Sequence, residues 1–226
     1  MSHGIPIALG YFSVSFGFGI KAVMSGLSVT AASLISLTNL TSAGQAAGVD
    51  VIAAGGTIFE MILVQLTINL RYSLMSLSLS QKLDKKFTMP HRLLASYGIT
   101  DEIFAVCSSQ TGLLTPAYMY GMIFIATVGW VLGTFLGASA GQILPQSVSS
   151  AMGIVLYGMF LAIIIPPAKK EKSVLFVISL AAALSIIFYY LIDSISAGFA
   201  MIISAVIAAA AGALLFPVRE NIGGQA

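Results

Sequence analysis

Charge is what this chain has least of. Of 226 residues, 10 are lysine or arginine and 8 are aspartate or glutamate, together 8%. An ordinary soluble domain carries about 25%. So few charges cannot clothe a water-soluble globule of this size, which excludes a soluble enzyme and a disordered chain. The formal net charge of +2, with no basic stripe, excludes a nucleic-acid binder. Cysteine is nearly absent as well: Cys107 stands alone, and no intrachain disulfide can form. His3 and His91 lie far apart, so no Cys/His set has metal-ligand spacing, and neither a metal nor another cofactor is expected. No Walker A pattern is present, which excludes ATP hydrolysis by that route. An intramembrane serine or metalloprotease would lack its histidines. The one enzymatic option left is an aspartyl dyad drawn from Asp50, Asp101 and Asp193, and the chain is read as not an enzyme. Met1-Ser2-His3-Gly4 has no basic n-region, so the first apolar segment is expected to be retained.

What is there is apolar. Hydrophobic residues make up 58% of the chain, and the mean hydropathy is +1.00. Apolar segments run over Ile5–Met24, Ser28–Leu40, Ala46–Leu79, Leu93–Gln110, Pro116–Ala140, Val148–Ile165, Ser173–Ile192 and Ile195–Phe216. Continuous runs argue for helices, since a membrane barrel would alternate with period two. The expectation is an all-α polytopic membrane protein, a single transmembrane domain over 1–226. It should have about seven to eight transmembrane or partly spanning helices, some of them broken. Ala46–Leu79 would reach about 50 Å as one straight helix against a hydrocarbon core of ~30 Å. Gly55-Gly56 is its natural break.

Two segments carry small residues at every fourth position: Gly129, Gly133, Gly137 and Gly141, then Ala200, Ser204, Ala208 and Gly212. Such ridges let helices approach closely in lipid. They suit intrachain packing, or the face of a second membrane subunit or second copy. Two basic loops, Lys82 to Arg92 and Lys169 to Lys172, should share the cytoplasmic side, yet three apolar segments separate them. Leu93–Gln110 is the best candidate for an incomplete span, being short with two acids at its centre. Gly10, Phe16 and Gly26 match Gly98, Phe104 and Gly112 at nearly constant offset. That spacing suggests inverted repeat halves over 5–81 and 93–167, followed by two helices over 173–216.

Polar groups where lipid belongs mark the candidate site. Asp101 and Glu102 sit midway through their segment. As neighbours on a helix they point about 100° apart and need not share a target. One reading has them meet a substrate ammonium or carry a coupling proton. The other makes Thr100 an N-cap, with both acids in the first turn of a helix. The two agree if a half-helix begins at the site. Asn69 and Arg71 form a second cluster: Asn69 shares a face with Gln65, and Arg71 suits a substrate carboxylate, compensation of an acid, or snorkelling. Ser42-Ala43-Gly44-Gln45 is the third, where N–H groups at a broken helix end favour an anion, or a plain surface loop runs. Glu60, mid-segment, is a further proton-coupling candidate.

These motifs together resemble the AzlC family, bacterial branched-chain amino acid exporters named for azaleucine resistance. The resemblance covers about Gly4 to Ile192. It rests on Pro6-Ile7-Ala8-Leu9-Gly10, Phe16-Gly17-Phe18-Gly19, Ser25-Gly26-Leu27-Ser28, Ser42-Ala43-Gly44-Gln45, Asn69-Leu70-Arg71-Tyr72 and Asp101-Glu102-Ile103-Phe104, taken in order and spacing. Ala46 departs from an aromatic residue often found there, a difference that concerns substrate size or identity. The resemblance implies export of leucine, isoleucine or valine across the bacterial cytoplasmic membrane. It also implies a small hydrophobic partner subunit of the AzlD type, for which the glycine ridge of 129–141 is a docking face. On this expectation Ser42 to Gln45, or Arg71, hold the carboxylate, and Asp101 or Glu102 holds the ammonium. Phe16 and Phe104 take the aliphatic side chain, whose burial contributes about 1.5–3 kcal/mol. Protonation of a buried acid couples export to the proton gradient. A passive channel or a non-transporting assembly subunit is the alternative.

Overall fold

The computed structural model describes residues 4–143, 164–192 and 195–217, with single positions 145, 147, 158 and 161. The expected segment Val148–Ile165 lies almost wholly outside the described residues. Serine and threonine start most of the helices, because their side-chain oxygens accept N–H groups that have no partner inside the helix. α1 spans Gly4–Met24 and turns at Gly26, whose φ of 91° favours glycine. Ser28 caps α2, Val29–Thr38, from the Ala31 N–H at 3.1 Å. α3 follows at Ser42–Ala53. Thr57 caps α4, Ile58–Ser80, from the Glu60 N–H at 3.1 Å. α5 is Met89–Ser96, with a proline in its first turn, and Thr100 caps α6, Asp101–Ser109. Thr115 caps α7, Pro116–Gly141; α8 is Lys172–Leu191; Ser196 caps α9, Ala197–Leu215. Apart from one isolated bridge, Leu83 to Leu114, the described elements are helical.

The long apolar segment breaks where expected: α3 ends at Ala53, and Gly55 turns with φ of 67°. α1, α4, α7, α8 and residues Gly198–Leu215 are long and apolar enough to cross a bilayer. α8 buries no residue. Leu66, Leu70, Leu74 and Leu77 form an exposed stripe along α4. Lipid is the solvent that makes such surfaces stable.

α1 and α7 form the centre of the molecule, and they run parallel. A methyl group at Gly129 would lie 2.5 Å from the Ala8 carbonyl oxygen. At Gly133 and Gly137 it would strike the carbonyls of Phe12 and Phe16, and at Gly141 it would lie 3.3 Å from Ile20 Cα. The expected docking face for a partner subunit is therefore corrected. Close backbone approach needs glycine, and α1 already occupies this ridge. In the second small-residue ridge Ser204 and Ala208 are buried, and Gly212 faces Val177 of α8.

The remaining short helices form two hairpins that enter from opposite ends of the α1–α7 pair. Ala32 of α2 and Val49 of α3 pack with Phe18, Ala22 and Ala138, at the C-terminal ends of α1 and α7. α2–α3 thus enters from that end and returns to it. α5–α6 does the same from the other end. Lys82 Nζ donates to the Ser108 and Gln110 carbonyls at 2.6 and 2.7 Å, and His91 Nδ1 lies 2.7 Å from the Tyr120 hydroxyl. Leu93–Gln110 is accordingly an incomplete span. One long helix followed by one broken hairpin occurs twice, inverted, over 4–53 and 58–109. The register that aligns Gly10 with Gly98 sets the uninterrupted α1 against the turn between α5 and α6. The repeated elements do not match in that register; they match one helix earlier.

Candidate functional site

The tips of the two hairpins meet at a cavity of about 410 Å³. Tyr11 of α1, Tyr72 of α4 and Trp130 of α7 reach it from the middle turns of three candidate spans. The cavity therefore lies near mid-depth. Ser42 lines it at the start of α3, and Thr100, Asp101 and Glu102 line it at the start of α6. Its walls are apolar, with Pro6, Ile7 and Val14 from α1 and Leu40 from the first hairpin.

The two acids have separate partners, as their angular offset requires. Asp101 Oδ2 pairs with Arg71 Nη2 at 2.8 Å, both side chains about half exposed. Arg71 is thus paired with an acid in this structure. Glu102 Oε2 accepts from the Tyr11 hydroxyl at 2.6 Å. No cation pairs with Glu102 among the described residues, so it is the uncompensated charge of the cavity. Thr100 Oγ1 accepts from the Ile103 N–H at 3.4 Å and lies 2.5 Å from the Tyr11 oxygen. The helix-start reading holds: Thr100 caps a half-helix with both acids in its first turn, and that half-helix begins at the cavity.

α3 begins differently. Thr41 makes no capping hydrogen bond with its side chain, and its Oγ1 is buried without a partner. The first N–H of α3 with a helical acceptor is that of Gln45, bonded to the Thr41 carbonyl at 2.9 Å. The N–H groups of residues 42–44 have no acceptor inside the helix. The start of α3, where Ser42 lines the cavity, is a positive dipole end with no acid in its first turn.

Other expected site residues lie around the cavity, not in its lining. Gln45 is buried. Its Nε2 donates to Ser36 Oγ at 3.0 Å, and its Oε1 accepts from Trp130 Nε1 at 3.2 Å, which fixes the indole. Asn69 Nδ2 donates to Gln65 Oε1 at 3.0 Å, and Gln65 Nε2 donates to the Gly44 carbonyl at 2.7 Å. This ladder ties α4 to the start of α3. Phe16 is turned about 140° from Tyr11 on α1, with its backbone against Gly137. Phe104, on α6, is half-buried against the core. The apolar walls are thus the residues named above and not these two phenylalanines. Glu60 lies away from the cavity, buried at the start of α9, where Oε1 accepts from Ser196 Oγ at 2.5 Å and the Gly198 N–H at 3.0 Å. Tyr11 and Trp130 line the cavity outside the three polar clusters of the sequence. The signals that point to them are a tyrosine hydroxyl inside an apolar helix and the chain's single tryptophan.

The family model described as AzlC protein matches residues 6–144, which holds both hairpins and the whole cavity. An uncharacterized membrane protein of Archaeoglobus fulgidus is 32% identical over 169 residues, 74% of this chain and 74% of its own length. The inner membrane protein YgaZ of Escherichia coli is 26% identical over 176 residues, 75% of this chain and 72% of its own. An uncharacterized membrane protein of Helicobacter pylori is 22% identical over 175 residues, 76% of this chain and 75% of its own. No solved structure matches the chain. A polytopic helical chain, matched by the family model across the region that builds its central cavity, belongs to the AzlC protein family.

Proposed function

We propose that the chain is a secondary transporter that exports branched-chain amino acids across the bacterial cytoplasmic membrane. It is driven by protons and works with a small AzlD-type membrane subunit. The observation that carries this reading is the opposed chemistry of two helix starts in one cavity. A zwitterion needs a negative group for its ammonium and hydrogen-bond donors for its carboxylate. Glu102 supplies the first. The free N–H groups of residues 42–44 supply the second, where an anion is stabilised by donors and dipole together. The apolar walls suit an aliphatic side chain, and Ala46 leaves its position small. Protonation of Glu102 would release the ammonium, which gives a proton a direct means of driving exchange.

The test is efflux of preloaded labelled leucine, isoleucine and valine from cells expressing the chain, with and without the small subunit, and with a protonophore. Saturable efflux that needs both chains and collapses with the protonophore is the expected result. Efflux indifferent to the protonophore and without saturation would make the protein a passive channel. No efflux of any of the three, with both chains in the membrane, would remove the substrate assignment.

A further inference from the structure

Tyr11 joins the rigid centre of the molecule to the start of α6. Its ring is on α1, whose backbone is locked to α7 along the glycine ridge, and it meets Trp130 edge-on at 5.2 Å between centroids. Its hydroxyl oxygen lies 2.6 Å from Glu102 Oε2 and 2.5 Å from Thr100 Oγ1. The group has one proton and two neighbours. When Glu102 is ionised it has no proton to give. Tyr11 then donates to Oε2, and the Thr100 hydroxyl donates to the Tyr11 oxygen. When Glu102 takes one proton from water, its own O–H donates to the Tyr11 oxygen, and the Tyr11 proton turns to Thr100 Oγ1. Only the proton taken from water is added, and Tyr11 and Thr100 stay neutral throughout.

The other titratable groups near Glu102 are Asp101 on its own helix and Arg71 and Tyr72 on α4. Arg71 is engaged by Asp101. α7 presents Trp130, which carries no charge. Tyr11 is therefore the group on the α1–α7 scaffold that answers the charge of Glu102. A hydrogen bond to a charge is about twice as strong as a neutral one.

We propose that Tyr11 is the positioning residue for Glu102. It holds the start of α6 against the scaffold while Glu102 is charged and unengaged. It loosens its hold on α6 when a proton, or the ammonium of a substrate, takes that charge and weakens the charged hydrogen bond. The trigger rests on the reading of the cavity as a substrate site; the tether between Tyr11 and α6 does not.

The chain carries its own reporter. Cys107, its one cysteine, is fully buried on α6, and alkylation requires α6 to leave its seat. The experiment measures alkylation of Cys107 by N-ethylmaleimide in native membranes at one fixed pH. It compares the unaltered chain with Tyr11→Phe, Glu102→Gln and the double variant, with and without leucine. Tyr11→Phe keeps the ring against Trp130, and thermal unfolding followed by Trp130 emission checks that it folds. Losing a hydrogen bond to a charge should raise the alkylation rate about tenfold in Tyr11→Phe. Glu102→Gln should act in the same direction, and the double variant should add little to either single change. Leucine should speed alkylation of the unaltered chain and leave Tyr11→Phe unchanged. An unchanged rate in Tyr11→Phe overturns the proposal, as do two single effects that simply multiply. Should Tyr11→Phe fail to fold, an unchanged rate in Glu102→Gln overturns it equally. Should both variants accelerate alkylation while leucine does nothing, the tether stands and the substrate reading falls.

Discussion

The two hairpins share a plan and differ at their tips. In α2–α3 and in α5–α6 the chain reaches mid-depth, turns through a short stretch ending in threonine, and leaves as a half-helix. Thr100 spends its hydroxyl on the Ile103 N–H and on Tyr11; Thr41 caps nothing. α6 opens with two acids and α3 with none. Each helix start carries about half a positive charge from its dipole. At α6 that charge is overcompensated, since Arg71 balances Asp101 and Glu102 remains. At α3 no acid in the first turn balances it. A symmetric scaffold has been given unlike ends, and unlike ends are what a small dipolar molecule requires.

The largest break in this comparison is Glu102→Gln. It leaves the shape of the α6 tip intact and removes its surplus charge. Hydrogen bonds to charged groups are worth about 1.5–3 kcal/mol, so efflux at low leucine should fall roughly 10- to 100-fold. Unchanged efflux would deny the cavity its ammonium site. Next comes Arg71→Gln, which adds a second uncompensated acid to the same tip. Efflux should drop up to about tenfold, discounted because the pair is half exposed. Adding Asp101→Asn should restore most of it. If Arg71 instead held the substrate carboxylate, the double variant would stay as poor as the single.

The bare tip can be probed through its backbone. Ser42 is the first residue of α3, where proline is tolerated because its missing N–H has no helical acceptor. Thr41 is already extended, with φ of −96° and ψ of 103°, as the residue before proline must be. Ser42→Pro should therefore keep the helix and remove one donor. Losing one such bond costs about 1 kcal/mol, so leucine affinity should weaken about fivefold. Leucinamide, which lacks the carboxylate, should bind the variant and the original chain alike. An equal loss for both ligands would mean that the donor serves packing and not the carboxylate.

Much of this plan was legible because the bilayer imposes it on the sequence. Hydrocarbon demands long apolar runs, so the spanning helices could be marked from hydropathy, and local chemistry set the breaks at Gly55-Gly56 and Thr100. The offset between Asp101 and Glu102 follows from helix geometry, and their separate partners agree with it. What stayed hidden depends on which helix faces meet. The glycines of α7 take the face of α1 that carries Ala8, Phe12 and Phe16, leaving Ile7, Tyr11 and Val14 to the cavity. No spacing within α1 reveals that choice. Tyr11 meets partners 89 and 91 residues away. Matching glycines do not mark the repeat, because the repeated feature is a pattern of helix and break whose residues differ.

The smallest expected difference lies between the two threonines, and it tests whether the hairpin tips are as unlike in energy as in charge. Thr100→Val removes a working cap; losing a threonine cap costs about 1 kcal/mol, and the contact with Tyr11 adds to that. Thr41→Val replaces a buried hydroxyl that has no partner, so nothing favourable is lost and the desolvation cost of that hydroxyl disappears. Thermal unfolding in detergent should show a lower midpoint for Thr100→Val and an equal or higher one for Thr41→Val. Equal losses at both positions would mean that the Thr41 hydroxyl contributes to the packing of the α3 start as much as the Thr100 cap does to α6, and that the two tips differ in charge alone.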